Sequence, residues 1–419
     1  MSGSVGILGA GLEGAAAARW FRGRPLTVLT DNPADPLPGA DCLWGADAAA
    51  ALGGIELLVR SPGFAPHHPL RRRADALGIP QTTTTRLFLA ETARRGIRVL
   101  AVTGSKGKST TTTLAAAFLN AAGHSAHALG NVGRPALDAL DELVGGIAVL
   151  EVSSYQAADL ETGPDRAILT SLFPEHLDWH GGFEPYLAAK LNLLERTQGP
   201  VWVPAGFKHL ATAHTFGAPP QAHMRDGHFV GADGATVPRR AFRLRGDAMA
   251  HNVLSAWSAT ADWGVSAAEV EGVFEAFAGL PHRLEDLGIV DGRRWVNDAI
   301  STAPEATAAA LEAWPETSTL IVGGKDRGYD VDPAVRAIAA STELRCVIGL
   351  PETGPRVLAG VSANVAKLQF DDLAEAVTHA RAVTPAGGTV LFSPGGPSYH
   401  RWRDFSERGA AFRAAVYGR

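Results

Sequence analysis

A glycine- and lysine-rich segment, Thr103 to Thr110, has the residue types needed to bind the phosphates of a nucleotide. It reads Thr-Gly-Ser-Lys-Gly-Lys-Ser-Thr and stands between an apolar strand pattern and a Thr/Ala-rich helix pattern. Glycines let backbone N–H groups turn towards phosphate oxygens, while lysine and hydroxyl side chains bind the β- and γ-phosphates and Mg²⁺. A helix-capping turn is the alternative, but the flanking strand and helix favour a nucleotide site. Its residues are Gly104, Ser105, Lys106, Gly107, Lys108, Ser109 and Thr110.

A second glycine motif, Gly9 to Gly14, follows the first apolar segment of the chain. Its Gly-x-Gly-x-x-Gly spacing is typical of nucleotide-binding βαβ units, and Asp31 stands where a ribose-binding acid would lie. An NAD(P) site is one interpretation of this motif. Because a second nucleotide site follows in the same chain, a ligase that takes ATP and a nucleotide-linked substrate explains both motifs better than a dehydrogenase does.

Two residues of metal-binding type follow neighbouring predicted strands. Glu151 ends the apolar segment 147–150, and His176 lies in the sequence Pro-Glu-His-Leu-Asp just beyond the next strand. Because ligands bind at the carboxyl edge of parallel sheets, both side chains are expected near the phosphate-binding segment. Together with phosphate oxygens they would suit Mg²⁺, whereas ordinary surface positions are the alternative.

Alternating strand and helix patterns place the chain in the α/β class and divide it into three sections. We predict a Rossmann-like domain over residues 1–95 and a central P-loop domain with a parallel sheet over 96–280. A second Rossmann-like domain is predicted over 281–419. The Pro-, Gly- and His-rich segment 200–247 is predicted to be an irregular insertion within the central domain, with short strand candidates such as Val201 to Val203.

Composition excludes several other classes of protein. The chain has 419 residues, of which 46% are hydrophobic, so a disordered chain is excluded. Its formal net charge of −5 argues against nucleic-acid binding, and its two cysteines exclude a disulfide scaffold. The absence of a basic leader and of a long apolar run predicts a cytoplasmic protein without membrane insertion.

Six motifs in a fixed order resemble the Mur ligases of peptidoglycan synthesis, and the match covers the whole chain. The resemblance implies an ATP-dependent ligase that forms an amide bond between UDP-N-acetylmuramoyl-L-alanine and glutamate through an acyl phosphate. It also implies a short N-terminal UDP-binding domain, a central ATP-binding domain and a C-terminal amino-acid-binding domain. The motifs are Thr103–Thr110, Gly130–Gly133, Glu151–Gln156, Pro174–Asp178, Leu280–Arg283 and Asn297–Asp298.

The resemblance further implies roles for residues around the phosphates. Lys108, Lys190 and His176 would be catalytic, with Lys190 carbamylated so that it carries a carboxylate-like group. Two Mg²⁺ ions are implied, the first held by Ser109 (or Thr110) and Glu151 and the second by His176, with carbamylated Lys190 also near the metal. The additional implied ATP-binding residues are Asn252, Arg283, which would reach across a domain cleft, and Asp298.

The two other substrates are also assigned residues by the resemblance. Residues implied for the UDP-linked substrate are Gly11, Leu12, Glu13, Thr30, Asp31, Ser61 and Asn131. Residues implied for glutamate are Thr302, Arg327, Ser398 and Phe405.

The amino-acid side of the chain departs from the pattern of ligases that add D-glutamate. Their Asp-Ser-Lys-Ala-Thr-Asn motif reads Asp298-Ala-Ile-Ser-Thr-Ala303 here, and Arg327 replaces a second lysine. Because arginine presents a planar fork and lysine a point charge, this exchange changes how a carboxylate is bound. The altered segments resemble a subgroup that adds L-glutamate before a separate epimerase acts, so L-glutamate is the predicted substrate.

Three alternatives stay open at this point. The chain could add D-glutamate, or it could be a folylpolyglutamate-type ligase, although that family lacks a UDP-binding domain. From another class, it could be a dehydrogenase or a non-catalytic UDP-sugar-binding module. The predicted partners are small molecules, with an epimerase possible downstream, and the predicted state is a monomer.

Overall fold

The computed structural model describes residues 3–210, 214–398 and 401–418. The chain forms two compact units. The first comprises residues up to 241 together with 250–274, and the second comprises 242–249 together with residues from 275 onwards. The α/β class is confirmed. The boundaries of the three predicted domains stay a prediction, because the first unit contains the sheets of both the predicted N-terminal domain and the predicted central domain.

The first sheet is wholly parallel and has the order β3-β2-β1-β4-β5. Its central strands are buried apolar segments, as expected for a parallel sheet covered by helices on both faces. The strands are β1 (Val5–Leu8), β2 (Leu26–Thr30), β3 (Asp41–Trp44), β4 (Leu57–Arg60) and β5 (Gln81–Thr83), and the helices are α1 (Leu12–Trp20), α2 (Gly45–Ala51), α3 (Pro69–Ala76) and α4 (Thr84–Arg95).

The second sheet is also parallel and has the order β11-β10-β9-β6-β8-β7. The strand that precedes the phosphate-binding segment is therefore central, with neighbours on both sides. The strands are β6 (Arg98–Thr103), β7 (Ala126–Gly130), β8 (Ile147–Glu151), β9 (Arg166–Leu169), β10 (Val201–Pro204) and β11 (His214–Phe216), and the helices are α5 (Lys108–Ala121), α6 (Ser154–Ala157), α7 (Leu177–His180), α8 (Phe183–Arg196), α9 (Asp247–Thr260) and α10 (Ala267–Ala276).

The segment 200–247 is more ordered than the sequence predicted. Strands β10 and β11 extend the second sheet, and β12 (His223–Arg225), β13 (His228–Val230) and β14 (Thr236–Pro238) form a separate antiparallel sheet. The strand candidate at Val201 to Val203 is confirmed by β10. The prediction that the rest of the insertion is irregular was wrong, because strands of three residues are too short to show a period-two pattern between their turns. Residues 211–213 of this segment lie outside the described residues.

The sheet of the second unit has the order β15-β16-β20-β17-β18-β19. Only its β15–β16 pair is antiparallel, so the carboxyl ends of the other five strands meet at one edge. The strands are β15 (Glu285–Val290), β16 (Arg293–Asn297), β17 (Thr317–Val322), β18 (Cys346–Gly349), β19 (Ala366–Gln369) and β20 (Thr389–Phe392), and the helices are α11 (Pro304–Ala313), α12 (Asp332–Ala340), α13 (Thr353–Gly360), α14 (Leu373–Val383) and α15 (Phe405–Tyr417).

None of the helices in the part of the chain described above combines the length and the apolar character needed to cross a membrane.

The first glycine motif depends on one close approach. A Cβ atom on Gly14 would lie 2.0 Å from the carbonyl oxygen of Gly9, because α1 packs directly against the turn after β1. Gly11 has no atom within 4 Å of the corresponding position, and its φ is −72°. The third glycine of the motif is therefore required by packing, whereas Gly11 leaves open space beside the turn.

We expect Gly14→Ala to destabilise the protein by about 1–3 kcal/mol, the usual cost of forcing extra volume into a packed site. The melting temperature should fall by roughly 2–10 °C. Gly11→Ala is the matched control and should melt within about 1 °C of the wild type, as surface substitutions do. Thermal unfolding that ranks the two variants equally would contradict this account of the turn.

Candidate active site

The phosphate-binding segment adopts a backbone that glycine alone adopts easily. Gly104 has a φ of 147° and Gly107 a φ of 88°. A Cβ on Gly104 would lie 2.0 Å from Oγ1 of Thr170, and one on Gly107 would lie 2.4 Å from Oδ1 of Asn252. Asn252, which the sequence assigned to ATP binding, is therefore packed against the segment, where Thr111 also donates to it over 3.4 Å.

Three side chains of the segment have hydrogen-bond or ion-pair partners within the protein. The ammonium of Lys108 donates to the carbonyls of Gly104 and Ser105, each over 3.0 Å, so it curls over the turn. Ser105 is tied to the protein instead, since its hydroxyl contacts Tyr186 at 2.6 Å and its N–H donates to Ser171. Lys106 forms an ion pair with Glu175 at 2.5 Å.

The two hydroxyls predicted to lie near a metal are in the first turn of α5. Ser109 is half-buried, and Thr110 is buried with a hydroxyl that has no hydrogen-bond partner among the described residues. A buried hydroxyl without a partner is costly, so Thr110 is a candidate contact for a ligand.

Glu151 is the buried carboxylate of the site. It ends β8, pairs in register with Val102 of β6 and Gly130 of β7, and is 1% exposed. Its Oε1 accepts a hydrogen bond of 2.8 Å from Asn131, whereas its Oε2 has no partner among the described residues. An oxygen left bare in this way fits a cation ligand.

Lys190, on α8, reaches the turn that follows β6. It is 2% exposed, donates to the carbonyl of Gly104 over 2.8 Å, and lies 4.9 Å from the ring of Tyr186. Burial, and secondarily the charge of Lys108, lower the pKa of this amine well below its usual value. The structure thus places a buried amine beside the phosphate-binding turn.

His176 caps α7 in a left-handed conformation, with a φ of 54°. Its ring centroid lies 5.0 Å from that of Tyr155. Burial, and secondarily the nearby lysine charges against that of Glu175, lower the pKa of its imidazole. Of the predicted catalytic residues, Lys108 and Lys190 meet at the carbonyl of Gly104, to which both donate. Within residues 3–210, 214–398 and 401–418, no group of three or more His, Cys, Asp or Glu side chains forms a metal site of its own.

A cavity of about 950 Å³ opens beside the first glycine motif. All seven residues assigned to the UDP-linked substrate line it, drawn from both sheets of the first unit. Asn131 lines this cavity and also binds Glu151, so one side chain touches both places. The seven residues are Gly11, Leu12, Glu13, Thr30, Asp31, Ser61 and Asn131.

Polar groups of the cavity are held in different ways. Glu13 accepts a hydrogen bond from the Thr84 hydroxyl, and burial raises the pKa of its carboxyl. Asp31 contacts Nε2 of His68 at 3.1 Å, and the Thr30 hydroxyl donates to a backbone carbonyl over 2.7 Å. The hydroxyl of Ser61 is buried and has no hydrogen-bond partner among the described residues.

Sequence reasoning missed several residues that line this cavity. Tyr155 belongs to a motif that was used only for Glu151, and Phe64 follows the Ser-Pro-Gly turn directly. Asn32 and Asp35 follow β2 on the same side as Asp31. The sequence offered one signal for all of them, since each lies within a few residues of the end of a strand that already carried a predicted site residue.

Two ATP-binding predictions fall in the second unit. Asp298 follows β16 and is buried, and burial raises its pKa to about 7 despite hydrogen bonds from Ser393 and from the N–H of Leu284. Arg283 is half-buried, and its charge acts on Asp298, so the two residues are close to each other. Their role in ATP binding stays a prediction.

The four residues predicted to bind glutamate occupy one edge of the second unit's sheet or the helix beyond it. Thr302, Arg327 and Ser398 follow β16, β17 and β20, which are adjacent parallel strands. Ser398 lines a shallow cleft together with Lys325, while Thr302, Arg327 and Phe405 are not part of its lining. Phe405 begins α15 and is half-buried. Their joint role also stays a prediction.

Comparison with known proteins gives a consistent result. The sequence model of the Mur ligase middle domain matches residues 102–204. A Micromonospora protein named UDP-N-acetylmuramoyl-L-alanine--L-glutamate ligase is 37% identical over 99% of this chain and 96% of its own length. A protein of the same name from Xanthomonas campestris is 35% identical over 98% of this chain and 94% of its own length.

Solved structures of similar fold extend over the whole chain. The UDP-N-acetylmuramate-alanine ligase of Thermotoga maritima superposes with a TM-score of 0.66 at 17% identity and covers 99% of both chains. The MurF ligase of the same organism, in complex with ADP, gives 0.62 at 14% identity, covering 100% of this chain and 96% of its own. These likenesses support the fold. Because relatives more than 30% identical span nearly its full length, the chain belongs to the Mur ligase family.

Proposed function

We propose that this protein is an ATP-dependent ligase that joins L-glutamate to UDP-N-acetylmuramoyl-L-alanine. The observation that carries the proposal is Asn131, which lines the cavity of the UDP-linked substrate and holds Glu151 beside the phosphate-binding turn. A substrate lying in that cavity can present its terminal carboxylate to the phosphates. The names of the relatives specify the same pair of substrates.

The reaction proceeds in two steps. A carboxylate oxygen of the UDP-linked substrate attacks the γ-phosphorus of ATP, the bond to the β–γ bridging oxygen breaks, and ADP leaves. The amine of glutamate then attacks the carbonyl carbon of the acyl phosphate and loses a proton, and the tetrahedral intermediate expels phosphate. Catalysis of such a transfer consists mainly of positioning and charge stabilisation.

The phosphate-binding residues are suited to the first step. The glycines at 104 and 107 keep the turn free of side chains, and Lys108 can exchange its two carbonyl contacts for the β- and γ-phosphate oxygens. Because the N–H of Ser105 and the side chain of Lys106 already have protein partners, we assign them to shaping the turn as well as to binding ATP.

The donor groups present fit Mg²⁺. Glu151 offers a buried oxygen that has no partner among the described residues, and Thr110, or Ser109 beside it, offers a hydroxyl. The described residues contain no complete cluster of His, Cys, Asp or Glu ligands, so Mg²⁺ would take the rest of its shell from phosphate oxygens and water. Mg²⁺ held there, with a second ion at His176, would neutralise charge on the phosphoryl oxygens.

Lys190 is proposed to carry a carbamate. The lowered pKa of the buried amine favours its neutral form, and a neutral amine can add CO₂ and lose a proton to give the carbamate anion. This replaces a positive charge that would repel a metal with a negative one that would attract it. The carbonyl of Gly104 would then accept the carbamate N–H.

The remaining assignments follow the family resemblance. We propose ATP-binding roles for Asn252, Arg283 and Asp298. We propose that Thr302, Arg327, Ser398 and Phe405 bind glutamate, with the arginine fork in place of lysine supporting the L-enantiomer. A product with an L-glutamyl residue would supply an epimerase acting on the nucleotide. We further propose a cytoplasmic monomer.

The choice of enantiomer is tested with the purified protein, ATP, Mg²⁺ and UDP-N-acetylmuramoyl-L-alanine. We expect L-glutamate to give ADP, phosphate and the amide product, measured by mass spectrometry and phosphate release. D-Glutamate should react at least about 100-fold more slowly, since the wrong enantiomer leaves a charged group of the site unpaired. Turnover with D-glutamate alone would contradict the L-glutamate assignment.

Lys108→Ala should lower glutamate-dependent phosphate release by roughly 100-fold or more, because the cation that meets the transferring phosphoryl group is removed. Lys208→Ala is the control, since that lysine is exposed and lies outside the site. Full activity of Lys108→Ala would contradict the role of Lys108, whereas a wild-type protein without glutamate-dependent phosphate release would favour a binding module or a dehydrogenase over a ligase.

The carbamate on Lys190 should give a ¹³C NMR signal when the protein is equilibrated with ¹³C-bicarbonate. The signal should be absent from Lys190→Ala and present in Lys106→Ala. Activity of the wild type should fall as the pH is lowered, because a protonated amine cannot add CO₂, and added bicarbonate should restore it. A fully active Lys190→Ala variant would rule out this role.

A further inference from the structure

An aromatic cluster runs from the cavity wall to the phosphate-binding turn. We define it as Tyr155, His176, Trp179, His180 and Tyr186. Tyr155 stacks on Trp179 with ring centroids 4.5 Å apart and an interplanar angle of 29°, and Trp179 lies 4.6 Å from His180. His180 lies 5.4 Å from Tyr186, whose hydroxyl contacts Ser105. The cluster therefore touches both proposed substrate sites.

Within this cluster, Trp179 contacts the cavity wall at two residues. Its indole Nε1–H donates to the carbonyl of Gly63 over 3.1 Å, and its ring face packs on Tyr155. Gly63 and Tyr155 both line the cavity, whereas Trp179 does not. Gly63 follows β4 of the first sheet, and Tyr155 lies in α6, which follows β8 of the second sheet. The side chain of Trp179 thus links two parts of the cavity wall.

The helix that carries Trp179 has little stability of its own. Helix α7 spans only Leu177–His180, between His176 with a φ of 54° and Gly181 with a φ of 80°. A single helical turn is not stable in isolation, so its position depends on the contacts of its side chains. His180 supplies one such contact through Ser154, at 2.9 Å, and Trp179 supplies the contact to the wall.

We propose that Trp179 is a positioning residue for the UDP-linked substrate. By tying the Gly63 turn to Tyr155, it holds the cavity at the width that the nucleotide sugar fills. The inference rests on the proposed function, because it takes the cavity as the site of a UDP-linked sugar.

Two variants separate the hydrogen bond from the stacking. Trp179→Phe keeps an aromatic face for Tyr155 and removes the N–H donor, whereas Trp179→Leu removes both. The matched control is Trp263→Phe. Trp263 is a half-buried tryptophan of the same unit that packs on Arg98 and Arg166 at the amino ends of β6 and β9.

The measured quantity is the Kd of UDP-N-acetylmuramoyl-L-alanine, by calorimetry without ATP or glutamate. We expect it to rise about 5-fold in Trp179→Phe, the loss of one hydrogen bond, and roughly 10- to 50-fold in Trp179→Leu, which also loses the aromatic pair. The Kd of ADP should stay within about 2-fold in both, and kcat at saturation within about 3-fold, since remote positioning contacts act on binding.

The outcomes distinguish this inference from the proposed function. An unchanged Kd of the UDP-linked substrate in Trp179→Phe, with wild-type binding intact, would overturn the inference alone. A rise in both Kd values together, accompanied by a lower melting temperature, would also overturn it by showing a merely structural role. A wild-type protein that does not bind the UDP-linked substrate would overturn both proposals.

Discussion

The carboxylate of Glu151 is buried at the end of a central sheet, with one oxygen held by Asn131 and the other without a partner among the described residues. Removing a carboxylate from water costs several kcal/mol unless a charge or hydrogen bonds compensate. The fold places this group beside the strand that leads into the phosphate-binding turn. A cation brought with the nucleotide would supply the compensation, so the site is arranged around a charge that the protein alone leaves unsatisfied.

Lys190 places a buried basic group beside the same phosphate-binding turn. Its amine is buried close to Lys108, and burial and repulsion together lower its pKa. Loss of the proton would remove the buried positive charge, and the proposed carbamate would replace it with a negative charge that attracts a cation. The two buried groups both lie close to the end of β6, where cations held by them would offset the charge of bound phosphates.

Parallel topology explains why the cavity lies near this charge. The first glycine motif and the Asn131 loop both follow carboxyl ends of parallel strands, where open α/β sheets bind ligands. Asn131 and Tyr155 extend the wall from the second sheet. Asn131 therefore connects the cavity wall with the buried carboxylate of Glu151, beside the strand that leads into the phosphate-binding turn.

The sequence predicted those parts of the site that depend on backbone shape and strand order. Gly104, Gly107 and Gly14 are required by close contacts, and such positions leave a spacing that can be read directly. Trp179 and Tyr155 left no such trace, because stacking depends on where a one-turn helix packs. The partners of Ser105 were equally hidden, since they come from residues more than 60 positions away. The short strands β11 to β14 were missed because three residues are too few to show a strand pattern in the sequence.

The central claim is that the carboxylate of the UDP-linked substrate attacks the γ-phosphorus of ATP. It can be tested with UDP-N-acetylmuramoyl-L-alanine labelled with ¹⁸O in its terminal carboxylate. With ATP, Mg²⁺ and L-glutamate, each phosphate released should carry one ¹⁸O atom, because the acyl phosphate passes a carboxylate oxygen to phosphorus. Phosphate without ¹⁸O, with its new oxygen taken from water, would contradict the account.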